Sequence, residues 1–269
     1  MAESLPEELS AGLRETASRR GVFGDVVHCL AETTSTNDVA ARLAERGAPE
    51  GTTVVALAQT AGRGRFGRTW FSPPGAGLYV SVICRHGAVA PYLTVAGGVA
   101  LADGIRRATG LPVEIKWPND IVAPRGAARE PRRKLAGILA EASTASGSVQ
   151  YVVLGFGINL SRTAYPAEIA ARASSIEAEL GRAPDPGAVL GETLASLASV
   201  HQALTSGHVG GVLDRWRTLA PSVFGAAVEW ETPAGPRAGT AAGIDEDGAL
   251  LIRTGGRLER VISGEVRWS

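Results

Sequence analysis

A chain of 269 residues can bury one sizeable core with a smaller unit beside it. Its 27 acidic and 27 basic side chains cancel, which excludes the basic excess of a bulk nucleic-acid binder, and 45% apolar residues describe a globular chain. No apolar run is expected to reach the roughly 18 residues of a membrane span, and the opening MAESLPEELS lacks the apolar stretch of a secretory signal, so the expected location is the cytoplasm, with neither DNA nor a membrane as partner.

In chain order, residues 5–20 read as a short helix and 26–31 as a short strand. TTSTNDVAARLAERG opens a helix in which Ser35 and Asp38 have capping-box spacing, and Gly47 and Pro49 close it. TTVVALAQ (52–59) is a buried strand running into QTAGRGRFGRTWFSPPGAG, and LYVSVIC (78–84) is the next strand. Residues 91–110 form an apolar helix ended by Gly110. VEIKWPNDIV (113–122) is a strand interrupted at Pro118. APRGAAREPRR (123–133) is a basic loop. KLAGILAEAS and VQYVVLGFGINL are strands joined by a Ser/Gly turn. Two or three helices fill 174–220. From Val223 onward, short β-like runs divided by PAGP, DEDG and TGG describe a small all-β unit. Cys29 and Cys84 could form one disulfide, but in a reducing compartment they read as buried thiols. His28, His86, His201 and His208 show no metal-ligand spacing and read as ordinary histidines, with no protein metal site expected.

The glycine-rich loop fits two phosphate motifs. Gly62, Gly64 and Gly67 spell G-x-G-x-x-G, and Gly62, Gly67, Arg68 and Thr69 nearly spell a P-loop. Both motifs need a helix at the end of the loop, which Pro73, Pro74, Gly75 and Gly77 forbid. What remains is a flexible loop carrying Arg63, Arg65 and Arg68, suited to closing over a nucleotide's phosphates. In KWPND, Lys116, Asn119 and Asp120 are polar groups inside an apolar strand, and such groups need partners or a task. Of the 27 cationic side chains only Lys116 and Lys134 are lysines, and both fall inside motifs, as though two places need a compact ammonium rather than a planar guanidinium.

STN, GRGRFGRTW, KWPND and KLAGIL, in this order from about Thr33 to Asn159, resemble the biotin protein ligases. The resemblance implies an α+β fold. Its core is a mixed, largely antiparallel sheet with helices on one side, similar to class II aminoacyl-tRNA synthetases. A small C-terminal SH3-like barrel follows, so that 1–220 is the catalytic unit and 221–269 the β unit. Only 34 residues precede STN, fewer than an N-terminal DNA-binding domain needs, so the short monofunctional form is expected. The implied activity joins biotin and ATP, with Mg²⁺, into biotinyl-5′-AMP and passes biotin to a lysine of a biotin carboxyl carrier domain of an acyl-CoA carboxylase. The implied biotin site is Ser35, Thr36, Asn37, Gln59, Arg63, Gly64, Arg65 and Lys134. Arg65, Arg68, Trp70, Lys116, Asn119 and Asn159 would hold the nucleotide, and Lys134, Arg63 and Asp120 would act in catalysis. The helix N-terminus at Ser35–Asp38 is expected to offer free backbone N–H groups to the biotin urea. A lipoate or octanoate ligase, or a regulator that binds the adenylate without transfer, are the alternatives.

Overall fold

The computed structural model describes residues 4–123, 132–163, 165–233 and 235–268; most of the basic loop thus lies outside the described residues. The chain begins with α1 (Glu7–Glu15) and α2 (Ala17–Arg20), parted at Thr16 where one helix was expected. A seven-stranded sheet follows, built from β1 (Val27–Leu30), β2 (Thr53–Ala56), β3 (Gly77–Cys84), β4 (Glu114–Lys116), β5 (Asp120–Val122), β6 (Lys134–Ala145) and β7 (Ser148–Asn159). Their spatial order is β1-β2-β3-β7-β6-β5-β4. Only β1 and β2 pair in parallel, so the sheet is mixed and largely antiparallel, as expected.

The expected strand through KWPND is a hairpin. A cis Trp117–Pro118 bond folds the chain back, and Lys116 pairs with Asp120 across β4 and β5. The turn between β6 and β7 is Ser146–Gly147, both at positive φ, which the Gly accepts without strain.

Period-two alternation decides what each face of the sheet carries. Leu78, Val80, Val82 and Cys84 of β3 join the main core, whereas Ile83 joins a second, smaller cluster with Val54 and Val153. Over the first face lie α4 (Leu93–Thr109), α7 (Pro186–Thr205) and α8 (Val209–Leu219). The helix α3 (Thr36–Glu45) packs Ala40 and Ala44 onto the second cluster. Helices therefore flank both faces, not one, because the apolar stripe of α3 matches the residues that β2, β3 and β7 turn away from the main core. Residues 174–205 also contain α6 (Ile176–Leu180), preceded by the short α5 (Ala167–Ala170). The stretch Gly87–Thr109 is, contrary to expectation, long and apolar enough for a membrane span, but most of it is buried here as a core helix. At Gly110 the chain takes φ 78° and ends α4. The thiols of Cys29 and Cys84 are both buried.

The C-terminal residues form a five-stranded antiparallel sheet, β8 (Ala227–Thr232), β9 (Gly235–Ile244), β10 (Leu250–Thr254), β11 (Arg257–Val261) and β12 (Val266–Trp268), ordered β11-β10-β9-β8-β12. Its apolar side continues the main core through Val228, Ile244, Leu250 and Ile252. Trp117 Nε1 donates to the Gly248 carbonyl at 3.1 Å, tying the KWPND hairpin to this sheet.

Helices α4 and α7 approach closely at Gly104, where a Cβ would stand 2.6 Å from the Thr193 Cα. Gly104→Ala is expected to force the two helices apart and to destabilise the protein by about 1–3 kcal/mol in chemical denaturation. A loss below about 0.5 kcal/mol would show that the layers yield at this point.

Candidate active site

The site lies on the face of the sheet that carries α3. There, Gly155 of β7 pairs with Ser81 of β3 on one side and Leu139 of β6 on the other, and one row along Gly157 pairs with Tyr79 and Gly137. The glycines leave backbone bare, and two side chains rest on it. A Cβ at Gly155 would stand 2.3 Å from Asn37 Oδ1, and one at Gly157 would stand 2.3 Å from the Trp70 indole nitrogen. Gly137 is tight as well, with Lys134 Nζ and Trp70 Cζ3 each 3.0 Å from a Cβ there.

Around Gly155 a polar network joins α3, the sheet and the glycine-rich loop. Gln59 Nε2 donates to Ser72 Oγ at 2.9 Å, while Gln59 Oε1 accepts from the Thr36 backbone N–H at 2.8 Å. Ser81 Oγ lies 2.8 Å from Thr36 Oγ1 and 2.5 Å from Asn37 Oδ1. Asn37 Nδ2 donates to Glu141 at 2.5 Å, and Arg63 donates to the same carboxylate at 2.8 Å and to Asp38. Ser35, Thr36 and Asn37 are all buried. The expected side-chain cap at Ser35 is not formed; the N–H of Thr36 is taken by Gln59, so one of the donors expected to face a ligand is already occupied.

The glycine-rich loop is a narrow hairpin. Arg63 and Thr69 form an antiparallel bridge, Gly64 N–H donates to the Arg68 carbonyl at 2.7 Å, and Trp70 N–H donates to the Gly62 carbonyl at 2.8 Å. Its tip is a 3-10 turn, Arg65–Gly67, with Phe66 at φ 56° and largely exposed. A Cβ at Gly62 would meet the Trp70 carbonyl at 2.5 Å, which explains that glycine by close approach rather than by phosphate contact. Each loop arginine reaches a different element. Arg63 reaches α3 and β6, Arg65 lies 3.4 Å from Asn119 Oδ1, and Arg68 meets Glu265 at 2.5 Å, just before β12.

Beyond Gly157 the site becomes cationic. Lys134 Nζ sits 2.5 Å from Asp120 Oδ1 and 5.0 Å from the centre of the Trp70 ring. Burial pulls the pKa of the neighbouring Lys116 down; Asp120 opposes this, and Arg132, Lys134 and Arg172 add to it. Burial likewise lowers the Arg65 guanidinium, with Asp120 opposing. The hydrogen bond from Arg68 holds the Glu265 carboxyl below its ordinary range. Asn119 Nδ2 donates to the Ile138 carbonyl at 2.8 Å. The Asn159 amide, expected to read a base edge, donates to the Ser174 and Lys134 carbonyls at 2.9 and 3.4 Å, so its N–H groups serve to tie strands to the following loop.

Every expected site residue lines one cavity of about 660 Å³. Not expected from the sequence were the network partners Ser81 and Glu141 and, in the cavity lining, Gly137, Gly155, Gly157, Tyr165, Arg172 and the segment Gly264–Trp268. The glycines of GFG were visible as a pair two residues apart on one strand face, a signal that the side chain above them needs the space.

A sheet face with a polar network at one end, an aromatic ring over bare backbone in the middle and clustered cations at the other defines a pocket for an anionic, elongated ligand. Residues 29–159 match the Biotin/lipoate A/B protein ligase family, and 223–267 match the Biotin protein ligase C terminal domain. The chain is 35% identical to the biotin–[acetyl-CoA-carboxylase] ligase of Mycobacterium tuberculosis, over 88% of this chain and 86% of that one. It is 32% identical to the bifunctional ligase/repressor BirA of Bacillus subtilis, over 96% and 77%. Among solved structures, the biotin protein ligase of Aquifex aeolicus in complex with biotin and ATP superposes with a TM-score of 0.76 at 27% identity, covering 91% of this chain and 100% of that one. The chain belongs to the biotin protein ligases of that family.

Gly157→Ala is expected to lift the Trp70 indole off the strand. The variant should keep its fold, show altered tryptophan emission and bind biotin about tenfold more weakly, the equivalent of about 1.4 kcal/mol of overpacking. Unchanged emission together with unchanged affinity would show that the ring has another resting place.

Proposed function

We propose that this protein activates biotin with MgATP as biotinyl-5′-AMP and transfers the biotinyl group to a lysine of a biotin carboxyl carrier domain. The observation that carries the residue assignment is the position of Lys134. Its ammonium stands over Trp70, between the polar network at Gly155 and the cations gathered beyond Gly157.

Biotin's ureido ring, a small bicycle with an apolar thioether side, fits the network end, where Ser35, Thr36, Asn37 and Gln59 supply donors and acceptors in a largely buried setting. Arg63, Gly64 and Arg65 close over it. The ATP fits the cationic end, with Arg65, Arg68, Lys116 and Asn119 in reach and Trp70 and Asn159 along the wall. Mg²⁺ arrives with the triphosphate as part of the substrate, held by phosphate oxygens and water. The cavity carboxylates Asp120 and Glu265 are each paired with a cation, as is Glu141 in the adjoining polar network.

In the first step a biotin carboxylate oxygen attacks the α-phosphorus, the bond from that phosphorus to the bridging oxygen breaks, and diphosphate leaves. Two anions must meet, and fixed cations lower the repulsion and stabilise the charge that builds on phosphorus. Lys134 serves as a point charge that follows the reacting oxygens, oriented by Asp120. In the second step the carrier amine, with a pKa of about 10.4 in water, attacks the acyl carbon after losing a proton, and AMP leaves. Asp120 orients that amine or takes its proton.

The test of the activity is mass spectrometry of a purified carrier domain incubated with this protein, biotin and MgATP. A gain of one biotinyl group is expected; a gain only when lipoate or octanoate is supplied would reassign the substrate. For Lys134→Ala, adenylate formation should fall about 100-fold or more, with less damage to transfer from preformed biotinyl-5′-AMP; equal damage to both half-reactions would make Lys134 a general nucleotide contact. Arg63→Gly breaks the links of the loop to Asp38 and Glu141 while leaving Lys134 in place. This variant should still make adenylate but release it early, so that a bystander such as albumin becomes biotinylated. A variant that labels only the carrier would show that Arg63 does not retain the intermediate.

A further inference from the structure

Glu50, His86 and His201 converge outside the cavity, beyond the Cys84 end of β3. Glu50 lies in the turn between α3 and β2, His86 two residues past the end of β3, and His201 on α7. None of the three lines that cavity, and His86 lies five residues along the chain from Ser81 of the polar network, a span of about 17 Å at the usual rise. One donor atom from each of the three side chains can be chosen so that all three lie within 4.8 Å of one another.

The geometry points to a divalent transition-metal site, formed by the imidazoles of His86 and His201 and the Glu50 carboxylate, that takes Zn²⁺ and clamps α7 to the sheet. Glu50 presents one oxygen to each ring. Its Oε1 is 3.2 Å from His201 Nε2, and its Oε2 is 3.5 Å from His86 Nδ1. Two ligands held about 2.1 Å from a tetrahedral Zn²⁺ stand about 3.4 Å apart, close to the two Glu50–histidine separations, and the three donor atoms together lie within 4.8 Å. An ordinary His–Glu hydrogen bond accounts less well for the arrangement. His201 Nε2 and Glu50 Oε1 are both buried and stand 3.2 Å apart, yet among the described residues neither has a well-aligned hydrogen-bond partner.

The surroundings suit such an ion. The Arg85 backbone N–H donates to Glu50 Oε2 at 2.5 Å and fixes the carboxylate. Phe23 packs edge-on against His201 at 5.2 Å and orients that ring. His86 is 59% exposed and leaves a way in. The nearby arginines are engaged elsewhere: Arg19 with Glu192 and Arg107 with Ser196. Three protein ligands leave one position for water. The three residues are scattered over 152 positions of sequence, which is why ligand spacing gave no sign of them.

The experiment is Zn²⁺ binding to untagged, metal-stripped full-length protein, read by equilibrium dialysis and by calorimetric Tm. One Zn²⁺ per chain is expected. Tm should rise by about 5 °C at a hundredfold excess over Kd, and an equal concentration of Mg²⁺ should have no such effect. His86→Ala and Glu50→Gln should each weaken binding at least tenfold and abolish the Tm rise, with biotin transfer to the carrier unchanged. Absence of binding to the wild type, or binding that survives in both variants, would overturn the site.

Discussion

The site depends on bare backbone at Gly155 and Gly157. Side chains on one face of a strand stand two residues apart, and omitting two of them in succession opens a trough across the middle of the sheet. Asn37 from α3 and Trp70 from the glycine-rich loop both come down into that trough, one on each glycine. The helix, the loop and the strand are thereby held at fixed separations by contact with main chain, which cannot change rotamer. The polar network from Ser72 to Glu141 is assembled on this floor, and its members are linked by hydrogen bonds to one another, with the Glu141 end open to solvent.

Electrostatics complete what packing begins. Three arginines within six residues repel one another, and each is drawn to an acceptor on a different element: Asp38 and Glu141, Asn119, and Glu265. The loop is thus fastened at three corners of the cavity, one of them on the C-terminal sheet. The fastenings of Arg63 and Arg68 are partly exposed ion pairs, and such pairs contribute little individually. An incoming polyanion can exchange them for its own oxygens at modest cost, so the same guanidinium groups can order the loop before binding and hold the ligand after it. The C-terminal sheet is joined to this machinery from two sides, by Arg68 to Glu265 and by Trp117 to Gly248.

What could be read from the chain was what is written locally. Arginines alternating with glycines, a proline before Asn119 and Asp120, and two lysines in an arginine-rich sequence all lie within short windows, and each led to a residue that lines the cavity. What could not be read depends on register. Ser81 and Glu141 become partners of Asn37 only because β3, β7 and β6 align as they do. Glu265 needs the C-terminal sheet to fold back over the loop. Asn159 was legible as a polar residue at a strand end but not as the tie that its carbonyl partners make it. The placement of α3 on the second face was encoded in alternation along β2 and β3, yet alternation in a strand buried on both sides shows no polar face to mark the difference.

The scarcity of lysine has a chemical consequence. Lys116 and Lys134 are the only lysines in the chain, and both line the cavity. A mixed anhydride of biotin and AMP is captured by amines that can lose a proton, and a guanidinium, charged throughout the accessible pH range, does not capture it. The outer surface of this protein carries its side-chain positive charge as arginine alone, outside the cavity mouth. It therefore presents no lysine to an escaped acyl group. Intermediate that leaves the pocket is captured by water or by lysines of other proteins, and the only lysine side chains of the enzyme itself that it can acylate are the two inside the cavity.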